Sequence, residues 1–269
     1  MPGHKQEIQM RMRLPQILEI KWRVYQALVI RFIIARYGRD NIGFMWTVVE
    51  PMLLCVGVMI IWSSTKGSAY HGISVVAFVF TAYMPLTLWR HQTGYMIGIG
   101  RQTKHITVFR NVTVFDAMIS RLILEYISVT AAAIIVFSVL YGFGLIQFPY
   151  DIGGVFFGWL AMGAFSAGSG ILFGALSEMS HIVEKLNGPV QYFILPFSGC
   201  FFMVNWLPHS AQEIVLYIPL VNAFEIIRGG YYGPEIETFG SASYVFASAL
   251  VTAGLGCFLF ERVKDHIDA

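Results

Sequence analysis

Polar and charged positions crowd the first 43 residues, and from Phe44 onward long apolar runs follow one another with short polar breaks. A helix crossing a bilayer needs roughly 20 apolar residues. The pattern predicts six such spans, over 44–63, 73–89, 117–141, 152–176, 190–207 and 244–260. Residues 208–243, between the last two, contain apolar pieces too short to cross. Two short amphipathic helices separated near Pro219 and ended by Arg228-Gly229-Gly230 are expected there, as a re-entrant hairpin, a gate or a plain external cap. Irregular backbone at membrane depth survives only where protein or water satisfies it.

Ahead of the first span, Leu18, Trp22, Tyr25, Leu28, Val29, Phe32 and Ile33 recur at three- and four-residue steps over 17–37, interrupted by Lys21, Arg23, Arg31 and Arg36. Such a basic amphipathic helix lies in the membrane interface; a helix packed on a protein core is the alternative. Residues 1–16 are polar, and Pro15 would begin or break a helix.

Composition narrows the class. Hydrophobic residues make up 56% of the 269 and charged residues 13%, about half the usual share, so the chain cannot cover itself in water. One membrane domain over 44–260 is expected, between a cytoplasmic stretch 1–43 and a tail 261–269. The first long apolar run begins too far along for a signal peptide, so the N-terminus is expected to stay in place. Sixteen of the 18 Lys and Arg fall on the side of the N-terminus, against Lys66 and Arg228 on the other. By the positive-inside rule both termini face the cytoplasm. Cys55, Cys200 and Cys257 lie in apolar runs without metal-ligand or disulfide spacing.

Catalytic patterns are missing. None of the six lysines is followed by Ser or Thr, so the phosphate-cradling loop of an ATPase is absent. There is no H-E-x-x-H; the HIVEK at 181–185 reads as a solvated turn. No catalytic residue, metal or cofactor is expected on this chain. Ionisable residues inside the membrane are the functional candidates instead. Glu50 beside Pro51 reads as a hinge or a polar point on a conduction path, or as a carboxylate paired with Arg36 or Arg90. Arg121 and Glu125 form an i,i+4 pair with Asp116 a turn earlier. Gly163, Ala167, Gly170 and Gly174, with Gly154 and Gly158, suit close helix approach, within the subunit or across a dimer. Trp46 and most other tryptophans sit at span ends, as interfacial residues do, and a few aromatics would suit stacking on a sugar path.

The 90–116 loop is longer than two spans require. Gly94, Gly98 and Gly100 weaken a continuous helix, and Ile106, Val108 and Phe109 stand among Arg101, Lys104 and Arg110. A short helix docking on another protein would look like this, as would one lying on anionic headgroups.

Three stretches carry a family likeness: RYGRDNIGFMWTVVEP at 36–51, VFRNVTVFDAMISRLILE at 108–125 and PLVNAFEIIRGGYYG at 219–233. Together they resemble the ABC-2 type permeases that export polysaccharides, most of all the inner-membrane subunit of group 2 capsular polysaccharide exporters. Asp40 and Asn41 stand where many relatives carry small residues. The resemblance implies an all-α integral membrane protein of the ABC-2 (type V exporter) fold, with six transmembrane helices, an interface helix and gate helices between spans five and six. It implies a homodimer bound to two separate ATPase subunits, which hold the ATP and Mg. Arg101, Lys104, Ile106, Val108, Phe109 and Arg110 would belong to the coupling segment, and Glu225, Arg228, Tyr231 and Tyr232 to the outer gate. Glu50, Pro51, Trp46, Arg31, Arg36 and Arg90 would lie on the hinge and translocation path, the arginines attracting a polyanion. The cargo would be an acidic polysaccharide on a lipid anchor, handed to a periplasmic co-polymerase or adaptor and an outer-membrane exporter; no nucleic-acid partner is implied. A permease for O-antigen, teichoic acid or a drug, or a membrane enzyme of polymer or lipid synthesis, are the alternatives.

Overall fold

The computed structural model describes residues 14–37, 42–67, 69–104 and 112–268. Helix α1 (Leu14–Tyr37) precedes α2 (Ile42–Lys66). A two-residue ladder, β1 (Ala69–Tyr70) on β2 (Ile73–Ser74), turns at His71 and Gly72 with φ of 51° and 81°. Then come α3 (Val75–Met96), the short α4 (Ile99–Thr103), α5 (Val114–Gly142), α6 (Ile152–Met179) and α7 (His181–Ile194). After two 3-10 turns, Leu195–Phe197 and Val204–Trp206, follow α8 (His209–Val215), α9 (Pro219–Tyr232) and α10 (Ala242–Asp268).

Among the described residues, α5, α6 and the 242–263 stretch of α10 are long and apolar enough to cross a membrane. The pair at 209–215 and 219–235, bent by 108°, would make a fourth if it is one broken span. That bend falls at Pro219, where the sequence pattern predicts a break between short helices. The six-span expectation differs most at 190–207. Helix α7 begins earlier, at His181, and ends at Ile194; Pro196 and a left-handed Gly199 (φ 88°) follow. The HIVEK stretch is therefore the first turn of a helix and not a loop. Ser180 caps it by accepting from the Ile182 N–H, and Glu184 sits in its first turn, where a negative charge is favoured.

Helix α1 combines the two readings left open for it. Leu28 and Phe32 are buried against Ala117 and Leu124 of α5, while Leu18, Trp22, Ile30 and Ile34 are exposed, as suits a helix lying between protein and lipid. Asp116 stands apart from the Arg121–Glu125 pair. It closes a capping box with Thr113 at the start of α5 and receives the Lys21 ammonium of α1 at 2.6 Å.

Helix α6 runs through the middle of the molecule. Its small residues are used within the subunit: a Cβ on Gly170 would meet the Gln92 carbonyl oxygen at 2.8 Å, and one on Gly174 the Met96 oxygen at 2.9 Å. Gly163 lies against the ring of Tyr126, and Gly158 against the backbone of α9. The main core, with Leu86, Trp89, Val129, Met162, Leu220 and Phe224, is shared by α3, α5, α6 and α9.

Candidate functional site

Chemistry-bearing side chains gather at two places, one at each end of α6. At the end nearer the α5–α6 connection, α9 starts on Pro219, whose missing N–H costs nothing at a helix start. Asn222, Glu225 and Arg228 follow at three-residue steps and are all buried. Arg228 is 0% exposed. Its Nη1 donates to the carbonyls of Gly199 and Phe202 at 2.8 and 2.7 Å, and its Nη2 to that of Cys200 at 3.2 Å. The guanidinium also lies 4.6 Å from the ring centre of Phe78. Glu225 accepts from the Val204 N–H at 3.2 Å with one oxygen and from the Phe239 N–H at 3.3 Å with the other. Asn222 donates to the Leu216 carbonyl at 2.7 Å and accepts from the Ser241 N–H at 3.0 Å.

Three side chains of one helix thus satisfy the backbone of three irregular segments. Buried backbone groups without partners are costly, most of all in a membrane. This arrangement explains how the chain can leave helical geometry after Ile194. The outer-gate residues expected from sequence are brought together, and in this subunit they face inward. Tyr231 donates its hydroxyl to the Gln147 carbonyl at 2.9 Å, and the Tyr232 ring meets it edge-on at 4.8 Å. Asn222 was missed, although its spacing with Glu225 and Arg228 was visible. Missed too was an aromatic stack beside Arg228: His71 on Trp206 at 4.6 Å, Trp206 on Phe78 at 5.1 Å and Phe78 on Trp62 at 5.6 Å.

At the opposite end, α3 stops at Met96 and the chain turns at Gly98, whose φ of 67° favours glycine. The Gly98 N–H donates to Ser177 Oγ at 2.9 Å, and the N–H groups of Gly100 and Arg101 donate to Glu178 Oε1 at 2.8 and 3.3 Å. The Arg101 guanidinium reaches the Ser177 carbonyl at 3.2 Å and the Glu184 carboxylate at 2.7 Å. Lys104 is exposed at the end of this corner. Ile106, Val108, Phe109 and Arg110 lie outside the described residues.

Of the residues assigned to a hinge or path, Arg31 is exposed on α1. Arg90 donates to Gln191 Oε1 at 3.3 Å and lies 4.9 Å above the ring of Tyr192, so its contacts are with α7. The side chains of Arg36, Trp46, Glu50 and Pro51 lie outside the described residues; the backbone of α2 continues as helix through positions 50 and 51. The Arg121–Glu125 pair forms at 3.1 Å and gains His91, 3.3 Å from Glu125, a partner on another helix that sequence spacing did not disclose. Exposed apolar side chains stand on α7 and just after it, at Tyr192, Phe193 and Phe197, and on α2, at Leu53, Val56 and Ile60.

Comparison with known proteins agrees with this architecture. The family model described as ABC-2 type transporter matches residues 23–232. The capsule polysaccharide export inner-membrane protein CtrC of Neisseria meningitidis serogroup B is 33% identical over 251 residues, covering 93% of this chain and 95% of the relative. The capsule polysaccharide export inner-membrane protein BexB of Haemophilus influenzae is 32% identical over 253 residues, 94% of this chain and 96% of the relative. The polysialic acid transport protein KpsM of Escherichia coli is 23% identical over 251 residues, with shares of 92% and 96%. The chain belongs to the ABC-2 type transporter family.

Proposed function

We propose that this chain is the membrane-spanning subunit of an ABC transporter that exports capsular polysaccharide across the inner membrane, driven by a separate ATPase. The observation that carries this reading is the nearly full-length similarity to CtrC and BexB, both named as capsule polysaccharide export inner-membrane proteins. The chain has no phosphate-cradling lysine motif, which fits a subunit that leaves ATP and Mg to its partner.

In this reading two copies of the chain pair, and the polymer passes between them over exposed aromatic residues such as Tyr192, Phe193 and Phe197. Two ATPase subunits bind on the cytoplasmic side, where the basic flanks and both termini lie, and a periplasmic adaptor and an outer-membrane exporter receive the product. The 90–116 corner couples to the ATPase, the 208–243 segment gates the outer mouth, and α2 bends near Glu50 and Pro51. Arg31, Arg36 and Arg90 draw an acidic polymer toward the entrance.

Purification in mild detergent tests the coupling assignment. The ATPase subunit is expected to accompany this chain, and replacing Ile106, Val108 and Phe109 together by serine is expected to release it. Each apolar side chain withdrawn from water contributes about 1.5–3 kcal/mol, so the triple variant should weaken the complex by on the order of a thousandfold or more. Retention of the ATPase by that variant would remove the assignment.

A further inference from the structure

We propose that α6 is the rod that carries motion from the 98–104 corner to the buried α9 cluster, and that Glu178 is the positioning residue fastening the corner to it. This rests on the corner being where the ATPase acts. Helix α6 spans 28 residues without a break, hence about 42 Å at the helical rise per residue. Its far end is bound to α9: the Asp151 N–H donates to the Gly230 carbonyl at 2.8 Å and the Tyr150 N–H to that of Tyr231 at 3.0 Å. Gly154 and Gly158 let the two backbones touch, since a Cβ on Gly158 would meet the Ile227 nitrogen at 2.8 Å. Packed contacts of this kind shift as units and do not deform gradually.

The corner is the soft link. It holds Gly98 and Gly100, and without fixed bonds it would absorb a push instead of passing it on. Four bonds tie it to the last turn of α6: two main-chain N–H groups donate to Glu178 Oε1, one donates to Ser177 Oγ, and the Arg101 guanidinium donates to the Ser177 carbonyl. The Glu178 side chain is 1% exposed, and its second oxygen lies 3.6 Å from the Arg101 guanidinium. Hydrogen bonds to an ionised acceptor are the stronger kind. Arg101 extends the joint to Glu184 in the first turn of α7, so both helices are gripped together.

The test uses the whole transporter, with Cys257→Ser and a reporter thiol at Tyr217→Cys, which is 77% exposed at the α8–α9 bend. Labelling by a membrane-impermeant maleimide, with and without ATP and vanadate, is read beside ATP hydrolysis and export. The parent is expected to label at different rates in the two states. Glu178→Ala should lose that difference and export about tenfold less polymer per ATP, while the ATPase stays bound and active. Glu178→Gln, whose amide oxygen still accepts both N–H groups, should keep most of the response.

Parental switching and export in Glu178→Ala would overturn the proposal, and so would equal loss in both variants. If Glu178→Ala is not recovered from membranes, Ser177→Ala takes its place: a smaller loss in the same direction supports the rod, and unchanged switching overturns it. A parent that neither switches nor exports with ATP would refute the functional reading itself, whatever the Glu178 variants do.

Discussion

Replacing Arg228 by alanine is expected to leave little folded protein in the membrane. The fully buried guanidinium holds the carbonyls of Gly199, Cys200 and Phe202, and buried carbonyls that lose their donor pay the full cost of desolvation. Its loss also leaves the Glu225 carboxylate, one turn earlier and equally buried, without the neighbouring cation. Removing one member of a buried charged network costs about 3–5 kcal/mol, a large share of a total stability of roughly 5–15 kcal/mol. Arg228→Lys should recover only a fraction, because a single ammonium cannot span three carbonyls held by a planar fork. Yield of monodisperse protein after extraction, with the thermal midpoint of what remains, reads the effect. An alanine variant with the parental yield and midpoint would show that residues 199–204 hold their shape by other means.

Gly230→Ala is the second large effect. A methyl group there would collide with the Val155 nitrogen, the Gly154 carbonyl carbon at 2.6 Å and the Asp151 oxygen at 3.1 Å, all of them backbone atoms that cannot rotate aside. The clash falls on the two main-chain bonds joining α6 to α9. Overpacking of this kind costs about 1–3 kcal/mol, which by the scaling of soluble proteins of this size lowers the midpoint by roughly 3–10 °C. Gly229→Ala is the control. Its Cβ would meet only Thr238 Oγ1 at 2.6 Å, a hydroxyl that can turn away, so less than half the shift is expected. Equal shifts at the two positions would contradict the close α6–α9 contact.

The spans that sequence disclosed best are those whose stability is local. Helices α5 and α6 are long apolar runs whose starts carry their own caps, Thr113 with Asp116 and then Asp151. Pro219 likewise announces the break between α8 and α9 within the sequence around it. The helix in the 190–207 run ends at Ile194, short of the span that hydropathy predicts, and hydropathy cannot see that Arg228, 29 residues beyond Gly199, supplies donors for the carbonyls that follow. His91 escaped notice for the same reason, as its carboxylate partner Glu125 is 34 positions away on another helix. Gly163 and Gly170 were legible as sites of close approach, but whether a neighbour came from the same subunit depended on where Tyr126 and Gln92 would fall. Ser177 and Glu178 look like any helix end until Gly98 and Gly100 are placed against them.

Movement of capsular polysaccharide across a membrane as the ATPase partner turns over is the step on which the proposed function rests. Inside-out membrane vesicles carrying both subunits, given lipid-linked acidic polysaccharide and ATP, test it most directly. Polymer is expected to become protected from an added glycosidase only with ATP, only when this chain is present, and not with a hydrolysis-deficient ATPase. Protection that is equal without ATP, or equal in vesicles lacking this chain, would contradict it.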